Sequence, residues 1–176
     1  MPLDPILQAN GPWLHPVIAT EAESCDLVAE LSKAAANPRV VCRRIRGNKA
    51  RTVQSWFDEC SAALQFPCYF GENWNAFDEC ITDLQWLPAD AYVLVVTNGS
   101  RLLEAEPPEG LTLLFTTVEH AGLEWSKAVA GQFPRPSKPF HVLIQCDQSE
   151  ERSLCQKLDA AKVAWSPSDA PARWRH

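Results

Sequence analysis

Hydrophobic residues along the chain alternate between short unbroken runs and stretches in which they recur every three or four positions. The unbroken runs predict strands over residues 40–45, 91–96 and 140–146, and a weaker run predicts a first strand over 13–18. The helical spacing predicts helices over 24–36, 53–64, 73–84, 118–130 and 150–161. A loop holding Pro107 and Pro108 is expected before the fourth of these helices.

The strands AYVLVV and FHVLIQC are apolar at every position or nearly so. Strands of this kind are buried on both faces, as in a parallel sheet covered by helices. The predicted fold class is therefore α/β, with residues 1–38 adding a strand and a helix to one edge of the sheet. Residues 163–165 are a candidate for a further edge strand.

The predicted helix over residues 73–84 has one apolar stripe. Its members are Trp74, Phe77, Cys80, Ile81 and Leu84. The opposite side then carries Asn75, Asp78, Glu79, Thr82 and Asp83. Asn73 is a good N-cap residue, and Gly71 permits a sharp turn just before it. Tyr69 and Phe70 lie on the loop that leads into this helix, so the loop and the outward side are predicted to form one exposed acidic surface.

Charge is distributed unevenly around this helix. Between Gln54 and Ser100 the chain has no lysine or arginine, although its formal net charge is only -6. Acidic side chains presented with aromatic ones suit a basic pocket on another protein, such as one that handles nucleic acid. The alternative is an ordinary amphipathic helix whose charged side is solvated.

A basic run precedes the acidic stretch. Residues 39–51 contain six basic side chains and no acid. The segment VVCRRIRG alternates as a strand does, which favours a solvated strand end or an internal partner for the acidic face over a nucleic-acid patch. The negative net charge also argues against direct binding of nucleic acid over a broad surface.

The loop and helix resemble the barstar family of intracellular ribonuclease inhibitors. The matching residues are Pro67, Tyr69, Phe70, Gly71, Glu72, Asn73, Asn75, Ala76, Cys80 and Thr82. The likeness extends back through Trp56 and Leu64 to Gly47, and more loosely forward through residues 92–97 and 140–146. It implies a small parallel sheet of three core strands covered by helices, here extended by the N-terminal strand. It also implies inhibition of a nuclease through the acidic surface.

Two departures from the family pattern bear on the partner. The family has aspartates at the positions of Asn75 and Glu79, and the second of these reaches into the phosphate site of the nuclease. A family tryptophan is replaced by Asp78, and a family glycine by Asp83. The acidity is thus redistributed along the helix, which implies a nuclease other than barnase.

The predicted function is a cytoplasmic immunity protein that blocks the active site of a basic ribonuclease or other nuclease toxin. Its predicted partner-binding residues are Tyr69, Phe70, Gly71, Asn73, Asn75, Asp78, Glu79, Thr82 and Asp83. The alternative is a non-inhibitory acidic module of the same fold that binds another basic protein. An enzyme is not expected, because Cys80 falls on the buried stripe and His120 and His141 are isolated beside apolar segments.

Length and composition predict a single domain over residues 1–176. Within it we expect a barstar-like core over 39–147, an N-terminal strand and helix over 1–38, and a C-terminal helix with a loose tail over 148–176. No signal sequence, membrane span, metal or cofactor is expected. The sequence does not determine the oligomeric state. Seven cysteines without a CxxC pair indicate reduced, buried thiols.

Overall fold

A computed structural model describes residues 6–33, 39–131 and 134–166. The element order is β1 (Leu14–Ile18), α1 (Glu21–Lys33), β2 (Val40–Arg46), α2 (Val53–Leu64), α3 (Trp74–Asp83), β3 (Ala91–Thr97), α4 (Pro108–Ser126), β4 (Phe140–Cys146) and α5 (Glu151–Ala161). A short 3₁₀ turn, Gly99–Arg101, follows β3. The predicted alternation of strands and helices is confirmed.

The four strands form one parallel sheet in the order β1-β4-β3-β2. The three strands β2, β3 and β4 are neighbours, and β1 pairs with β4 at the edge, from Leu14 opposite Val142 to Ile18 opposite Cys146. The expected parallel α/β sheet with an N-terminal edge strand is confirmed. Beyond β1, Trp165 makes a single parallel bridge to Leu14, so residues 163–165 contribute one bridge where a short strand was expected.

Alternate residues of each strand point to opposite sides of the sheet, so the sheet has two apolar faces, and helices cover both of them. On one face, Tyr92, Leu94 and Val96 of β3 share a core with α2, α3, α4 and α5. On the other face, Ala91, Val93 and Val95 pack with Leu27 and Leu31 of α1. The surface helices α2 and α3 thereby stand side by side on the larger core.

The N-terminal extension is packed into this core. The Trp13 side chain is 4% exposed. Its ring lies against α4 at Gly122, where a Cβ atom would come within 2.3 Å of the ring. A residue without a side chain is therefore required at this point of α4 for the extension to dock.

Two helix boundaries differ from the prediction. Helix α4 begins at Pro108, about ten residues earlier than expected, because proline is well tolerated at the first position of a helix. Helix α1 begins at Glu21 and ends at Lys33, and the predicted continuation to residue 36 lies outside the described residues. The predicted loose tail, apart from Ser166, also lies outside them.

Among the described residues, no helix combines the length and apolar character needed to cross a bilayer.

Candidate functional site

Helix α3 and the loop before it are fixed to the core by aromatic side chains. Phe70 packs edge-on against Phe57 and Phe66, with ring centroids 5.7 Å and 4.9 Å away. Phe77 is fully buried and contacts both Phe57 and Trp56. Phe70 is half-buried as a result, so its ring chiefly anchors the loop, and the loop presents its other residues from a rigid base.

The turn into α3 is shaped by Asn73. Its side-chain oxygen accepts a hydrogen bond from the Ala76 N–H at 3.0 Å, and its amide nitrogen donates to the Gly71 carbonyl at 3.0 Å. This is the predicted N-cap, which satisfies a backbone donor that the helix itself leaves unpaired. Both polar atoms of Asn73 are therefore engaged within the loop, and its predicted place on the partner-binding surface is chiefly structural.

The buried stripe of α3 is the predicted one. Phe77, Cys80, Ile81 and Leu84 are buried, while Trp74 is half-buried. Burial raises the pKa of the Cys80 thiol, and the charges of Glu79 and Asp83 raise it further. A thiol in this environment stays protonated at neutral pH, so Cys80 is a core residue and a poor nucleophile.

The outward side of the loop and helix exposes the remaining predicted residues. Tyr69 is 72% exposed, the largest value among the exposed large hydrophobic side chains of the described residues. Gly71, Asn75 and Glu79 are exposed, whereas Asp78, Thr82 and Asp83 are half-buried. The Thr82 hydroxyl donates to the Asp78 carbonyl at 2.7 Å, so toward solvent its oxygen can only accept.

Three carboxylates of this surface have no ion-pair partner in the described part of the chain. Among those residues, Glu72, Glu79 and Asp83 form no ion pair with lysine or arginine. The arginines of the basic run, by contrast, are paired elsewhere: Arg44 with Glu21, Arg46 with Glu59 and Arg51 with Glu104. These three arginines therefore pair with carboxylates outside the acidic surface, and the expectation that the basic run is an internal partner of that surface is wrong for them.

Three residues that sequence reasoning left out of the site lie beside it. The Gln54 amide of α2 donates to the Glu72 carboxylate at 2.8 Å. The Asp78 carboxylate lies 2.8 Å from Nδ1 of His120, on α4. Glu72 was visible in the sequence as part of the acidic cluster, but Gln54 and His120 carry no local signal. His141, expected as a hydrogen-bonded structural histidine, is buried and bonded to His15 at 2.9 Å.

The loop after α4 closes the C-terminal end of α3. The Arg135 guanidinium lies 4.0 Å from the centre of the Trp125 ring. It donates to the carbonyls of Thr82 and Glu124, at 3.2 Å and 2.9 Å. Between this loop and α3 lies an open cavity of about 360 Å³. Arg135 thus connects the loop after α4 to the last turn of α3.

All seven cysteines lie within the described residues and are free. In the same part of the chain, no group of three or more histidine, cysteine, aspartate or glutamate residues is arranged to hold a metal ion.

Comparisons with solved structures find a likeness of fold. A chain in the structure of Drosophila ORC bound to GC-rich DNA and Cdc6 superposes with a TM-score of 0.50 at 13% identity, over 92% of this chain and 50% of that one. The chain thus spans about half the length of that relative, and at this identity the likeness concerns the fold alone. A chain from Drosophila ORC bound to DNA matches with a TM-score of 0.46 at 12% identity, over 95% of this chain and 83% of that one. That likeness is too distant to support an argument.

No curated protein matches the sequence significantly. The family described as Barstar (barnase inhibitor) matches residues 40–145, from the start of β2 to Gln145 in β4. This range includes the aromatic loop, α3 and the acidic surface, and it covers more than half of the chain. The family is one of inhibitors, and the match agrees with the parallel sheet and with the residues of the loop and helix. The chain therefore belongs to the barstar family.

Proposed function

We propose that this protein inhibits a basic nuclease by placing α3 and the loop before it in the active-site cleft of that enzyme. The observation that carries the proposal is a group of carboxylates, Glu72, Glu79 and Asp83, that form no ion pair with lysine or arginine within the described part of the chain and lie beside the exposed Tyr69. Like charges held together contribute nothing to folding, so a surface of this kind is explained by a cationic partner. Family membership supports a nuclease as that partner.

Each exposed side chain has a role in the proposed complex. Glu79 would stand in for a substrate phosphate and accept hydrogen bonds from the arginine, lysine or histidine residues of the cleft. Asp78 and Asp83 would steer association and extend the charge match. Tyr69 would supply apolar contact, and Asn75 and Thr82 neutral hydrogen bonds. None of these roles requires this protein to turn over a substrate, so we infer that it acts as an inhibitor and not as an enzyme.

The biological role that fits best is immunity. A nuclease toxin endangers the cell that makes it, and an inhibitor has to be present where the toxin is synthesised. We therefore infer that the protein acts in the cytoplasm and protects its own cell. The redistribution of acid to Asp78 and Asp83, with an amide at Asn75, supports a partner nuclease other than barnase.

Charge reversal tests the docking surface. The double variant Glu79→Lys with Asp83→Lys should abolish inhibition of a nuclease that the wild-type protein blocks, because two lysines would face the basic cleft. Inhibition is measured as stoichiometric loss of nuclease activity at two salt concentrations, since an electrostatic complex weakens as salt rises.

The matched control is Asp26→Lys with Asp147→Lys. Both of these aspartates are exposed and lie outside the proposed surface, on α1 and after β4. The two double variants change the net charge equally, so only position distinguishes them. Full inhibition by the Glu79 and Asp83 variant would show that the docking surface lies elsewhere. Binding without any loss of nuclease activity would instead favour the non-inhibitory interaction module.

A further inference from the structure

A histidine lies against one of the acidic residues of the docking surface. Nδ1 of His120, on α4, is 2.8 Å from Oδ1 of Asp78, in the middle of α3. Nε2 of the same ring is 3.7 Å from Oε1 of Glu124, one turn further along α4. Both members of the pair reach solvent, with side chains 51% and 34% exposed for His120 and Asp78. The pair forms the edge of the surface on the side of α4.

The contact with Asp78 fixes which ring nitrogen carries the proton. A carboxylate only accepts hydrogen bonds, so Nδ1 of His120 is the donor whether the ring is neutral or charged. A second proton can therefore add only at Nε2, which faces Glu124. Taking up this proton leaves the contact with Asp78 intact and changes the charge of the pair from negative to neutral.

The other charged groups around His120 are few. Glu124 is shared with Lys127, whose ammonium lies 2.5 Å from the same carboxylate oxygen and lowers the pKa of Glu124. Arg135 approaches from the following loop but donates to the Glu124 carbonyl. Because Lys127 already pairs with Glu124, Asp78 is the carboxylate whose charge His120 chiefly balances.

We propose that His120 is a positioning residue of the docking surface, which holds the Asp78 carboxylate in place and sets the charge presented at this edge. Affinity for the basic partner then falls when His120 takes up a proton. The inference rests on the proposed function, since it concerns how the same surface binds its nuclease.

Two substitutions represent the two states of the ring. His120→Gln keeps a neutral donor at every pH, and His120→Lys keeps a permanent cation. At one pH, the lysine variant should bind the nuclease about five-fold more weakly than the glutamine variant, as expected for one partly exposed charge pair. Because the ratio is taken at a single pH, titration of the nuclease itself cancels.

Asp78→Asn provides the control for the mechanism. If His120 acts by holding the Asp78 carboxylate in place, His120→Ala binds the nuclease more weakly than His120→Gln, and this difference disappears when Asp78 is asparagine. A difference that persists in the asparagine background would mean that His120 contacts the nuclease directly, and equal affinity of the two variants in the wild-type background would mean that it has no role. Either result overturns the inference.

A measurement on the free protein separates this inference from the proposed function. Nitrogen NMR of the His120 ring at pH 8 should show the proton on Nδ1, whereas a free imidazole prefers it on Nε2. The preference should revert in Asp78→Ala, and an Nε2 proton in the wild-type protein would overturn the inference. Failure of the wild-type protein to inhibit any basic nuclease would instead refute the proposed function, whatever the tautomer.

Discussion

Two adjacent residues of the loop before α3 have different roles, one in folding and one in binding. Phe70 turns its ring toward Phe57 and Phe66, while the adjacent Tyr69 is 72% exposed. An exposed aromatic ring on a rigid loop costs little conformational entropy when it binds, so residues of this kind often dominate an interface. Tyr69 is therefore the residue whose loss should affect binding most and folding least.

Replacing Tyr69 by alanine should weaken nuclease binding by about 30-fold or more, as removal of an aromatic residue at an interface centre typically costs about 2 kcal/mol or more. The free energy of unfolding should change by less than about 0.5 kcal/mol, because the exposed side chain is not part of the core. Inhibition constants and urea unfolding measure the two effects. Val129→Ala is a suitable control, since Val129 is 45% exposed but lies outside the proposed contacts. A loss of stability without a loss of affinity would contradict this assignment.

Spacing and residue type predict local features of α3 but not its contacts with distant parts of the chain. The apolar stripe of α3 and the cap at Asn73 follow from spacing and residue type, and both were predicted. The contact between Asp78 and His120 joins side chains 42 positions apart, so no local pattern indicates it. Nor does the sequence show that the side chain of Asn73 bonds within the loop and that the ring of Phe70 faces the core.

At the scale of elements, the boundary with the largest error depends on proline. The pair Pro107 and Pro108 was interpreted as part of a loop, yet Pro108 is the first residue of α4. Proline ends a helix from within but fits its first turn, where no backbone N–H is needed. The strands β3 and β4 were predicted to within one residue, because long apolar runs are a strong signal.

The helix cap of α3 provides a test at this scale. Asn73→Ala should lower the free energy of unfolding by about 1 kcal/mol, since the Ala76 N–H loses its acceptor. Asn73→Ser should retain most of the stability, because serine also caps helices well. Urea unfolding of the two variants measures the difference, and affinity for the nuclease should fall only in the alanine variant, in which the first turn frays. Equal destabilisation by serine and alanine would indicate that the side chain acts through its contact with Gly71 instead.

At the scale of the whole molecule, two buried histidines connect distant parts of the chain. His141 donates from Nε2 to the Gln8 carbonyl at 2.9 Å, so its Nδ1 must accept from Nε2 of His15. Nδ1 of His15 then accepts from the Ser166 hydroxyl at 3.2 Å. Both rings are neutral in this chain of hydrogen bonds, which joins the N-terminal segment, the sheet and the end of the described chain.

The two buried, neutral histidines predict that the free energy of unfolding falls in acid. Burial lowers the pKa of His15 from its ordinary value of 6.5 to about 4, and burial also lowers the pKa of His141. Between those pH values the unfolded chain binds a proton that the folded protein does not, so the free energy of unfolding decreases as the pH falls from about 6.5 to about 4.

The prediction is tested by urea unfolding at pH 7.5 and pH 4.5. The wild-type protein should lose about 2 kcal/mol more than His15→Gln, which keeps a donor to His141 but does not titrate. Other groups that respond to acid contribute equally to both proteins and cancel in the comparison. Equal losses in the two proteins would mean that His15 is not neutral in the folded state.

The position of β1 beside β4 has a consequence for biosynthesis. Of the four strands in the described sheet, β1 is the first that a ribosome delivers, and it pairs with the last, β4. The strands β2, β3 and β4 and the acidic helix between them form a continuous stretch that can assemble as soon as β4 emerges. Until then β1 has no partner strand on the nascent chain, although Trp13 can already contact α4. The N-terminal strand therefore completes the sheet last, and we expect the yield of folded protein to depend on chaperones that shield this segment during synthesis.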